Sequence, residues 1–414
     1  MDTYCNRHIN FFDTTLRDGE QAPSYSMTLE QKVELAALSE GLGVNIIEVG
    51  FPNSSPNDFE AARQISASLT RATPCVFARA TNEDIMACAK ATLKASRRQI
   101  QIATLGSDIH IRYKRAITHQ KVLDEAQRAL GLARAQGFDD ISLAIEDATR
   151  SDFEFLKQLL DIGLKGGVTT FAIPDTVGCC LPQEFGALIG KIRAYIGENI
   201  RISIHCHNDL GLAVANTLAG IAEGGDEVQV TMGGIGERAG NANMEELVAI
   251  LNYKAPVLRV THDMIQHRLY AAVNKLADFL QLNIPAHKPI VGRNAFATEA
   301  GMHQQGVMKH RFTYEFMRAE DFGAESRTMV GRHSGRNILR HRLLQSGIRT
   351  VSPSALDLLY NQIMAEEHVD RYNDVQLLRR TYESVAASTE TLTDPKSAAR
   401  GAVAAGSLKM ETAA

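Results

Sequence analysis

Two histidines separated by a single residue are the feature of this sequence best suited to chemistry. His205 and His207 end the run RISIHCH, which has the composition of a buried strand. Alternate residues of a strand face the same side, so both imidazoles point one way and Cys206 points the other. Such a pair suits a metal ion, but the spacing fits two hydrogen-bonded polar residues equally well.

The elements around this pair indicate where it lies. Eight short β-rich runs between Ile9 and Met232 are each followed by apolar residues at helical spacing. Strands that alternate with helices form a parallel sheet, and eight units in about 255 residues match an α/β fold of the (β/α)8 TIM-barrel type. An open doubly wound sheet is the alternative, although no GxGxxG follows the first strand. Thr28 and Gln31 predict a capping box at the first helix.

Barrel closure brings further chemical groups to the two histidines, because active sites of this fold lie at the carboxyl ends of the strands. The turn RDGEQ after the first strand then supplies Asp18, a hard oxygen ligand beside two imidazole nitrogens. This set suits manganese, magnesium or zinc, and the residues do not choose among them. Arg17 and Glu146 also follow strand ends, either as substrate-binding groups or as an ion pair across the barrel mouth.

A glycine-rich segment, GGIGERAGN, follows the eighth strand. Its glycines allow the backbone to approach a ligand closely, and Asn241 lies near the start of the next helix. Glycine-rich turns also occur without ligands, so this segment adds to the prediction only by its position.

Composition and charge exclude several classes of protein. Lys and Arg number 44 against 48 Asp and Glu, and the net charge of −4 argues against nucleic acid as a partner. The chain is 44% hydrophobic and 22% charged, as in globular proteins that bury a core. The sequence shows neither a signal-peptide pattern nor a run of about 18 apolar residues, so it predicts neither secretion nor a membrane span. The six cysteines form no CxxC pair, so we expect a cytoplasmic protein.

The pattern changes after the eighth unit. Helical segments are predicted for residues 263–282, 337–344 and 354–367, with an irregular stretch before the second, and the chain becomes rich in Ala, Ser, Thr and Gly from about residue 385. We therefore expect a barrel over residues 1–260, a helical lid and dimerisation subdomain over 261–367, and a C-terminal segment over 368–414 that ends in a disordered tail.

Long motifs resemble one known family. FDTTLRDGEQAP, EVGFPNSSPNDFEA, IPDTVG, HCHNDLGLAVANTLAG, GIGERAGNANMEELV and GRHSGRN are similar to the α-isopropylmalate, homocitrate and citramalate synthases. The likeness includes IVGRNAFATEAGMHQQGVMKHRFTYEFM and extends over about residues 9–365. It implies a TIM barrel that uses a divalent metal to condense acetyl-CoA with a 2-oxo acid, followed by thioester hydrolysis that releases CoA and a 2-alkylmalate.

The resemblance also implies roles for individual residues. Arg17 matches the arginine that contacts the keto group, Glu146 a glutamate near the reacting thioester, and Thr176 a threonine that holds the oxo acid's carboxylate. The family's metal ligands match Asp18, His205, His207 and Asn241.

Two further matches lie outside the barrel. His303 in GMHQQG and Tyr314 in FTYEFM match residues implicated in acid–base work. In relatives they belong to a helical subdomain that covers the partner's barrel mouth, so a domain-crossed homodimer is the implied assembly. Relatives with the full regulatory architecture carry a further C-terminal domain, and without it we expect no inhibition by leucine.

Four positions depart from typical isopropylmalate synthases. The family's histidine falls at about Gln99, its two asparagines at Ala172 and Gly233, and its aspartate at Gln305. We expect Gln99 and Ala172 to lie near the oxo acid's side chain, where a changed pocket changes the substrate.

Several functions therefore stay open. EVGFPNSSP and GERAGN favour 2-oxoisovalerate, with 2-isopropylmalate as product. A homocitrate or citramalate synthase, or a secondary-metabolic synthase with an unusual oxo acid, is the alternative. A hydroxymethylglutaryl-CoA lyase would need a cysteine in GGIGERAGN, which has none. A non-catalytic metabolite-binding barrel would not need the whole set of chemical residues.

Overall fold

The computed structural model describes residues 7–393, and eight parallel strands form a closed barrel in chain order. The first strand pairs with both the second and the eighth. The TIM-barrel prediction is confirmed, and each predicted β-rich run contains one strand. The strands are β1 Asn10–Asp13, β2 Ile46–Glu48, β3 Thr73–Arg79, β4 Gln99–Leu105, β5 Asp140–Glu146, β6 Thr170–Asp175, β7 Arg201–Cys206 and β8 Glu227–Val230.

One helix follows each strand, and polar side chains begin several of them. The predicted capping box is present, because the Thr28 side chain accepts from the Gln31 N–H and the Gln31 side chain accepts from the Thr28 N–H. The helices are α1 Leu29–Gly41, α2 Pro56–Ser68, α3 Asn82–Ala91, α4 His119–Ala135, α5 Phe153–Lys165, α6 Pro182–Ile196, α7 Ala213–Ala222 and α8 Met244–Tyr253.

The two faces of the barrel strands differ in polarity. Outward residues such as Leu143, Phe171 and Ile204 are fully buried against the helices, where they meet glycines of α5 and α7. Inward residues include Gln101 and Gln229, whose amides hydrogen-bond each other at 2.9 Å. The alternation of period two thus places the apolar core between strands and helices and leaves a polar barrel interior.

The chain divides into two compact units at different points from those expected. The first contains the barrel and continues to Gly292, with residues 321–324 added. It includes α9 Ala255–Leu258 and α10 Leu269–Leu280, and the short strand Val260–Thr261 pairs with Arg7–His8. α10 lies against α1, where Lys275 Nζ and Glu34 Oε1 are 2.9 Å apart, and this packing joins it to the barrel.

The second unit is mainly helical. It contains α11 Gly301–Lys309, α12 Arg336–Gln345, α13 Pro353–Met364 and α14 Val375–Thr393. Two short strands pair in parallel in this unit: Ala297–Thr298 before α11 and Arg327–Thr328 after it. The helices of residues 337–344 and 354–367 were predicted, whereas α11 was not, because GMHQQG lacks apolar residues at helical spacing.

The C-terminal segment also differs from expectation. α14 continues through residue 385, where composition predicted a tail, since Val385 and Ala386 pack against the core of the second unit. The rest of that predicted tail, residues 394–414, lies outside the described residues. Within residues 7–393 no helix is both long and apolar enough to cross a membrane.

Glu227 generates a prediction about pH and stability. It begins β8, is fully buried, and has a carboxylate oxygen without a partner among residues 7–393. Burial raises its pKa from 4.5 to about 7, although the charge of Arg201 opposes the shift. The folded chain therefore holds this proton more tightly than the unfolded chain, and stability falls as pH rises from 4.5 to about 7.

Glu227→Gln should remove this loss. The variant should exceed the wild type in unfolding free energy at about pH 8, by up to about 3 kcal/mol, and the difference should shrink towards about pH 5. Thermal unfolding at several pH values measures it, with exposed Glu198→Gln as the control. Parallel pH curves for wild type and Glu227→Gln would contradict the assignment.

Candidate active site

Three buried side chains converge at the carboxyl ends of β1 and β7. Asp18 Oδ2 lies 3.2 Å from His205 Nε2 and 3.6 Å from His207 Nε2, and the two Nε2 atoms are 3.2 Å apart. One ion can therefore contact all three residues. The juxtaposition predicted from the strand pattern and barrel closure is present, and we call these residues the metal trio.

Local hydrogen bonds hold the trio in place. His205 lies within β7, and His207 directly follows it. The Asp18 N–H donates to Thr14 Oγ1 at 3.3 Å, and this bond holds the turn after β1 against the end of that strand. The Met232 N–H donates to Thr15 Oγ1 at 2.9 Å and joins this turn to the segment after β8. The aspartate is thus held at the seam where the barrel closes.

The charge states of the trio suit a cation. Burial would raise the pKa of Asp18, but the charge of Arg17 and the hydrogen bond from His205 outweigh it and hold that pKa well below its usual range. Burial and the neighbouring His205 lower the pKa of His207 to about 4. An anionic carboxylate and a neutral imidazole are the forms that bind a metal.

Asn241 offers a fourth ligand atom beside the trio. Its backbone forms an isolated antiparallel bridge with His207. The side chain is buried, its Nδ2 donates to the Ile235 carbonyl at 3.2 Å, and its Oδ1 has no partner among the described residues. A buried oxygen without a partner next to three metal-ligating groups fits a ligand.

The glycines of GGIGERAGN place Asn241 by letting the loop fold onto itself. Gly236 has φ +151°, and a Cβ there would lie 2.1 Å from Asn241 Nδ2. Gly240 has φ +88°, and a Cβ there would lie 2.0 Å from the carbonyl oxygen of Gly234. A side chain at either position would displace the asparagine or the loop.

Arg17 is held by a carboxylate that sequence reasoning missed. Glu48, at the end of β2, is fully buried and accepts from Arg17 Nε at 2.7 Å. It also accepts from Gln101 Nε2 at 3.0 Å, and the guanidinium lies 4.7 Å from the ring centroid of Phe77. The signal was present in NIIEVG, where a charged residue ends an apolar strand. Glu48 is a positioning residue for Arg17.

A cavity of about 460 Å³ opens beside the trio, with Arg17, Thr176 and Glu146 in its wall. Thr176 Oγ1 accepts from the Asp147 N–H at 2.9 Å, and the Thr176 carbonyl accepts from Arg238 at 2.7 Å. These bonds fix the threonine at the cavity wall.

Glu146 is paired at the same mouth. Its Oε1 lies 2.6 Å from Lys114 Nζ and 3.3 Å from His110 Nδ1. Both partners belong to the π-helical turn His110–Lys114 after β4, which the sequence did not indicate. The glutamate therefore meets the cavity as part of an ion-pair cluster.

Gln99 does not line the cavity, contrary to prediction. It begins β4 and pairs there with Cys75 and Asp140, at the amino ends of the strands. Gln101, two residues later, lines the cavity instead, together with Ala172. Residues two apart share a face of the strand but lie about 7 Å apart along it. The sequence motif does not show which of the two depths the cavity reaches.

His303 and Tyr314 contact each other within the second unit. Their rings stack with centroids 4.1 Å apart and planes 27° apart. His303 lies in α11, and the neighbouring Gln304 anchors that helix by donating from Nε2 to the carbonyls of Thr298 and Met329. The two predicted acid–base residues thus form one cluster.

Comparisons with known proteins agree on one family. The HMGL-like profile matches residues 8–275, and the profile for the homocitrate synthase post-HMGL domain matches residues 290–368. The 2-isopropylmalate synthase of Nitrosospira multiformis is 40% identical over 89% of this chain and 72% of its own length. That of Aquifex aeolicus is 41% identical over 89% of this chain and 71% of its own. The chain belongs to the α-isopropylmalate, homocitrate and citramalate synthase family.

Solved structures show the same barrel outside this synthase family. A hydroxymethylglutaryl-CoA lyase from Pseudomonas aeruginosa aligns with a TM-score of 0.57 and 18% identity over 67% of this chain and 94% of the lyase. An HMG-CoA lyase from Brucella melitensis aligns with a TM-score of 0.57 and 18% identity over 67% of this chain and all of the lyase. At such identities the likeness shows the fold alone.

The departures from typical members of the synthase family occupy different places. Ala172 lies in the cavity wall. Gly233 lies in the turn after β8 with φ +68°, a conformation that glycine adopts without strain. Gln305 belongs to α11 in the second unit. Of these three, Ala172 lines the cavity, so its identity affects which oxo acid fits there.

The trio generates a prediction about metal binding. Asp18→Asn and His205→Ala should each reduce bound Mn²⁺ from about one ion per chain to near none, because each removes a ligand that the others cannot replace. Equilibrium dialysis followed by elemental analysis measures this. Exposed His119→Ala is the matched control and should retain the ion. Full Mn²⁺ binding by both trio variants would refute the site.

Proposed function

We propose that this protein is an acyltransferase of the 2-isopropylmalate synthase type. It condenses acetyl-CoA with a 2-oxo acid, 2-oxoisovalerate first among them, and releases CoA as part of leucine biosynthesis. The observation that carries the proposal is the buried metal trio beside Arg17 and the cavity, in a chain about 40% identical to such synthases. The five described cysteines are free thiols, which supports a cytoplasmic location.

The residues divide the work of binding the oxo acid. We assign Asp18, His205, His207 and Asn241 to a divalent ion, which when bound polarises a carbonyl oxygen. Arg17, held by Glu48, donates hydrogen bonds to the keto oxygen and stabilises its developing charge. Thr176, fixed by its two backbone partners, binds the carboxylate of the oxo acid.

The cavity also indicates where the oxo acid's side chain lies. Ala103, Ala144 and Ala172 form a wall of small residues, and Gln101 with Gln229 forms a polar part of the lining. A branched aliphatic side chain fits against the alanines. A homocitrate or alternative alkylmalate synthase would place a longer or more polar side chain towards the two glutamines.

Proton transfer is assigned to groups at the mouth and in the second unit. Enolising acetyl-CoA needs a base, and His303 stacked on Tyr314 supplies an imidazole with a phenol beside it. Glu146, between Lys114 and His110, contributes a carboxylate near the thioester.

A domain-crossed homodimer would bring His303 and Tyr314 of one chain to the barrel mouth of the other. Several large apolar side chains around His303 are exposed in the second unit: Met302 is 79% exposed, Phe312 63% and Tyr314 54%. Exposed apolar patches of this kind mark interaction sites. We propose that this patch covers the barrel mouth of a second copy of the chain.

A lyase reaction is the second candidate, favoured only by the shared barrel. The loop after β8 holds no cysteine. Of the two buried thiols nearest the trio in sequence, Cys206 ends β7 and Cys180 follows β6. Incubation with a 3-hydroxyacyl-CoA tests cleavage directly, and cleavage without condensation would replace the synthase proposal.

A thiol-release assay tests the activity. With acetyl-CoA and Mn²⁺, 2-oxoisovalerate should give a higher kcat/KM than pyruvate or 2-oxoglutarate. Arg17→Ala should lower kcat by about 100-fold or more, as loss of an electrophilic donor does. Arg63→Ala, at a half-buried arginine of α2 that pairs with Glu60, should not. If no oxo acid releases CoA, the reaction class is wrong; if another acid is preferred, only the substrate changes.

Mixed subunits test the crossed dimer. His205→Ala and His303→Ala should each be inactive alone, because each lacks one half of the site. A purified heterodimer of the two should recover about half of the wild-type activity per dimer, since one complete site reforms. A monomer in sedimentation, or a heterodimer that stays inactive, would contradict the assembly.

A further inference from the structure

A second group of metal-ligating side chains lies in the loop between β6 and α6. The sequence PDTVGCC places two adjacent cysteines four and five residues after Asp175. The Sγ atoms of Cys179 and Cys180 and a carboxylate oxygen of Asp175 all lie within 4.8 Å of one another. None of these residues belongs to the metal trio or lines the cavity beside it.

The loop backbone sets this geometry. Gly178 has φ +58° and donates to the Asp175 carbonyl at 3.2 Å, which turns the chain back on itself. The Cys179 N–H then donates to Asp175 Oδ1 and the Cys180 N–H to Oδ2, both at 3.2 Å. Because one carboxylate accepts hydrogen bonds from two consecutive amide N–H groups, the backbone of both cysteines is held beside it.

Asp175 lacks a direct cationic partner among the described residues. It is fully buried, and its hydrogen-bond partners outside the two cysteines are neutral: the Thr149 hydroxyl at 3.3 Å and Asn216 Nδ2 at 3.3 Å. The charge of Arg150 also acts on Asp175, without a direct ion pair. A buried carboxylate without an ion pair favours the approach of a cation. The Oδ1 of Asn216 is also buried and has no partner in the described part of the chain, so a further oxygen beside the group is unused.

The distance between one thiol and the carboxylate matches that between ligands of a tetrahedral ion, and the second thiol lies within 4.8 Å of both. With metal–sulfur bonds of about 2.3 Å and metal–oxygen bonds of about 2.0 Å, ligand atoms lie roughly 3.5–3.8 Å apart. Cys179 Sγ and Asp175 Oδ1 are 3.7 Å apart, so this pair needs almost no movement. Cys180 is buried whereas Cys179 is exposed, which gives an ion access from solvent.

We propose that Asp175, Cys179 and Cys180 form a second metal site that takes a soft divalent cation of the zinc or cadmium kind. Two thiolates and one carboxylate suit such an ion, whereas the sulfur-free trio suits harder ions as well. On binding, two S–H bonds break, two metal–sulfur bonds form, and two protons pass to solvent without any change of oxidation state. The fourth position is left for water.

The free thiols must lose their protons to bind an ion, and their raised pKa values oppose binding most at low pH. Burial and the Asp175 charge raise the pKa of Cys180 to about 12 and also raise that of Cys179. Without an ion both stay protonated at neutral pH, and an incoming cation displaces the protons. Binding should therefore strengthen as pH rises.

Cobalt substitution separates this site from the trio. Co²⁺ bound by thiolates has an intense sulfur-to-metal charge-transfer band, and the trio contains no sulfur. Addition of Co²⁺ to the full chain should produce the band, and His207→Ala should keep it. The double variant Cys179→Ser, Cys180→Ser should lose it, while Cys88→Ser, a buried thiol of α3, should keep it as the matched control.

Two outcomes would overturn the proposal: no charge-transfer band in the wild type at excess Co²⁺, or a band that persists in the double variant. Cys179→Ala alone, at an exposed position, also weakens the band and guards against misfolding of the double variant. In the His207→Ala background, Cd²⁺ should raise Tm only when the cysteine pair is present. These readouts do not require acyl transfer, so they stand or fall independently of the proposed function.

Discussion

The candidate active site depends on one buried ion pair, between Arg17 and Glu48. Glu48 has no contact with solvent, and a carboxylate is tolerable there because Arg17 Nε lies 2.7 Å away. The same guanidinium reaches Asp18, with Nη1 3.7 Å from Oδ2. These two carboxylates and one guanidinium together carry one negative charge. A divalent ion reverses that sign, which is what an anionic 2-oxo acid requires.

The polar interior of the barrel extends this arrangement. Gln101 donates to Glu48 and accepts from Gln229, which also donates to Ser203. A buried network of this kind is costly unless its members are satisfied, and here the amides of Gln101 and Gln229 both have partners within the barrel. The result is a rigid base beneath Arg17. The apolar packing that stabilises the fold lies outside this network, between the strands and their helices, so cavity residues can change without loss of the core.

The second unit packs around a core of its own. Its core is formed by residues of α12, α13 and α14, such as Leu339, Leu359 and Leu378, and is complete by itself. α11 is tied to the unit by Gln304, yet it leaves Met302 and Tyr314 exposed. A helix that is firmly anchored but exposes apolar side chains is suited to covering another surface. The residues with acid–base potential therefore lie at an open surface of this unit, next to a cavity of about 380 Å³ that Tyr314 lines.

Sequence by itself determined the barrel, since periods of 2 and 3.6 residues identify strands and helices and eight alternations leave few topologies. It also determined the face shared by His205 and His207, and closure of the predicted barrel was enough to add Asp18. Family motifs supplied Thr176, Asn241, His303 and Tyr314 as matches, without their contacts.

Only the tertiary structure decided the rest, because those features depend on height along a strand and on partners distant in the chain. Gln101 rather than Gln99 lines the cavity, since two residues of one face lie at different depths. Glu48 meets Arg17 because β1 and β2 are neighbours, and no local pattern encodes that pair. Likewise the adjacent cysteines of PDTVGCC become a ligand set only where a left-handed glycine turns both thiols back onto Asp175.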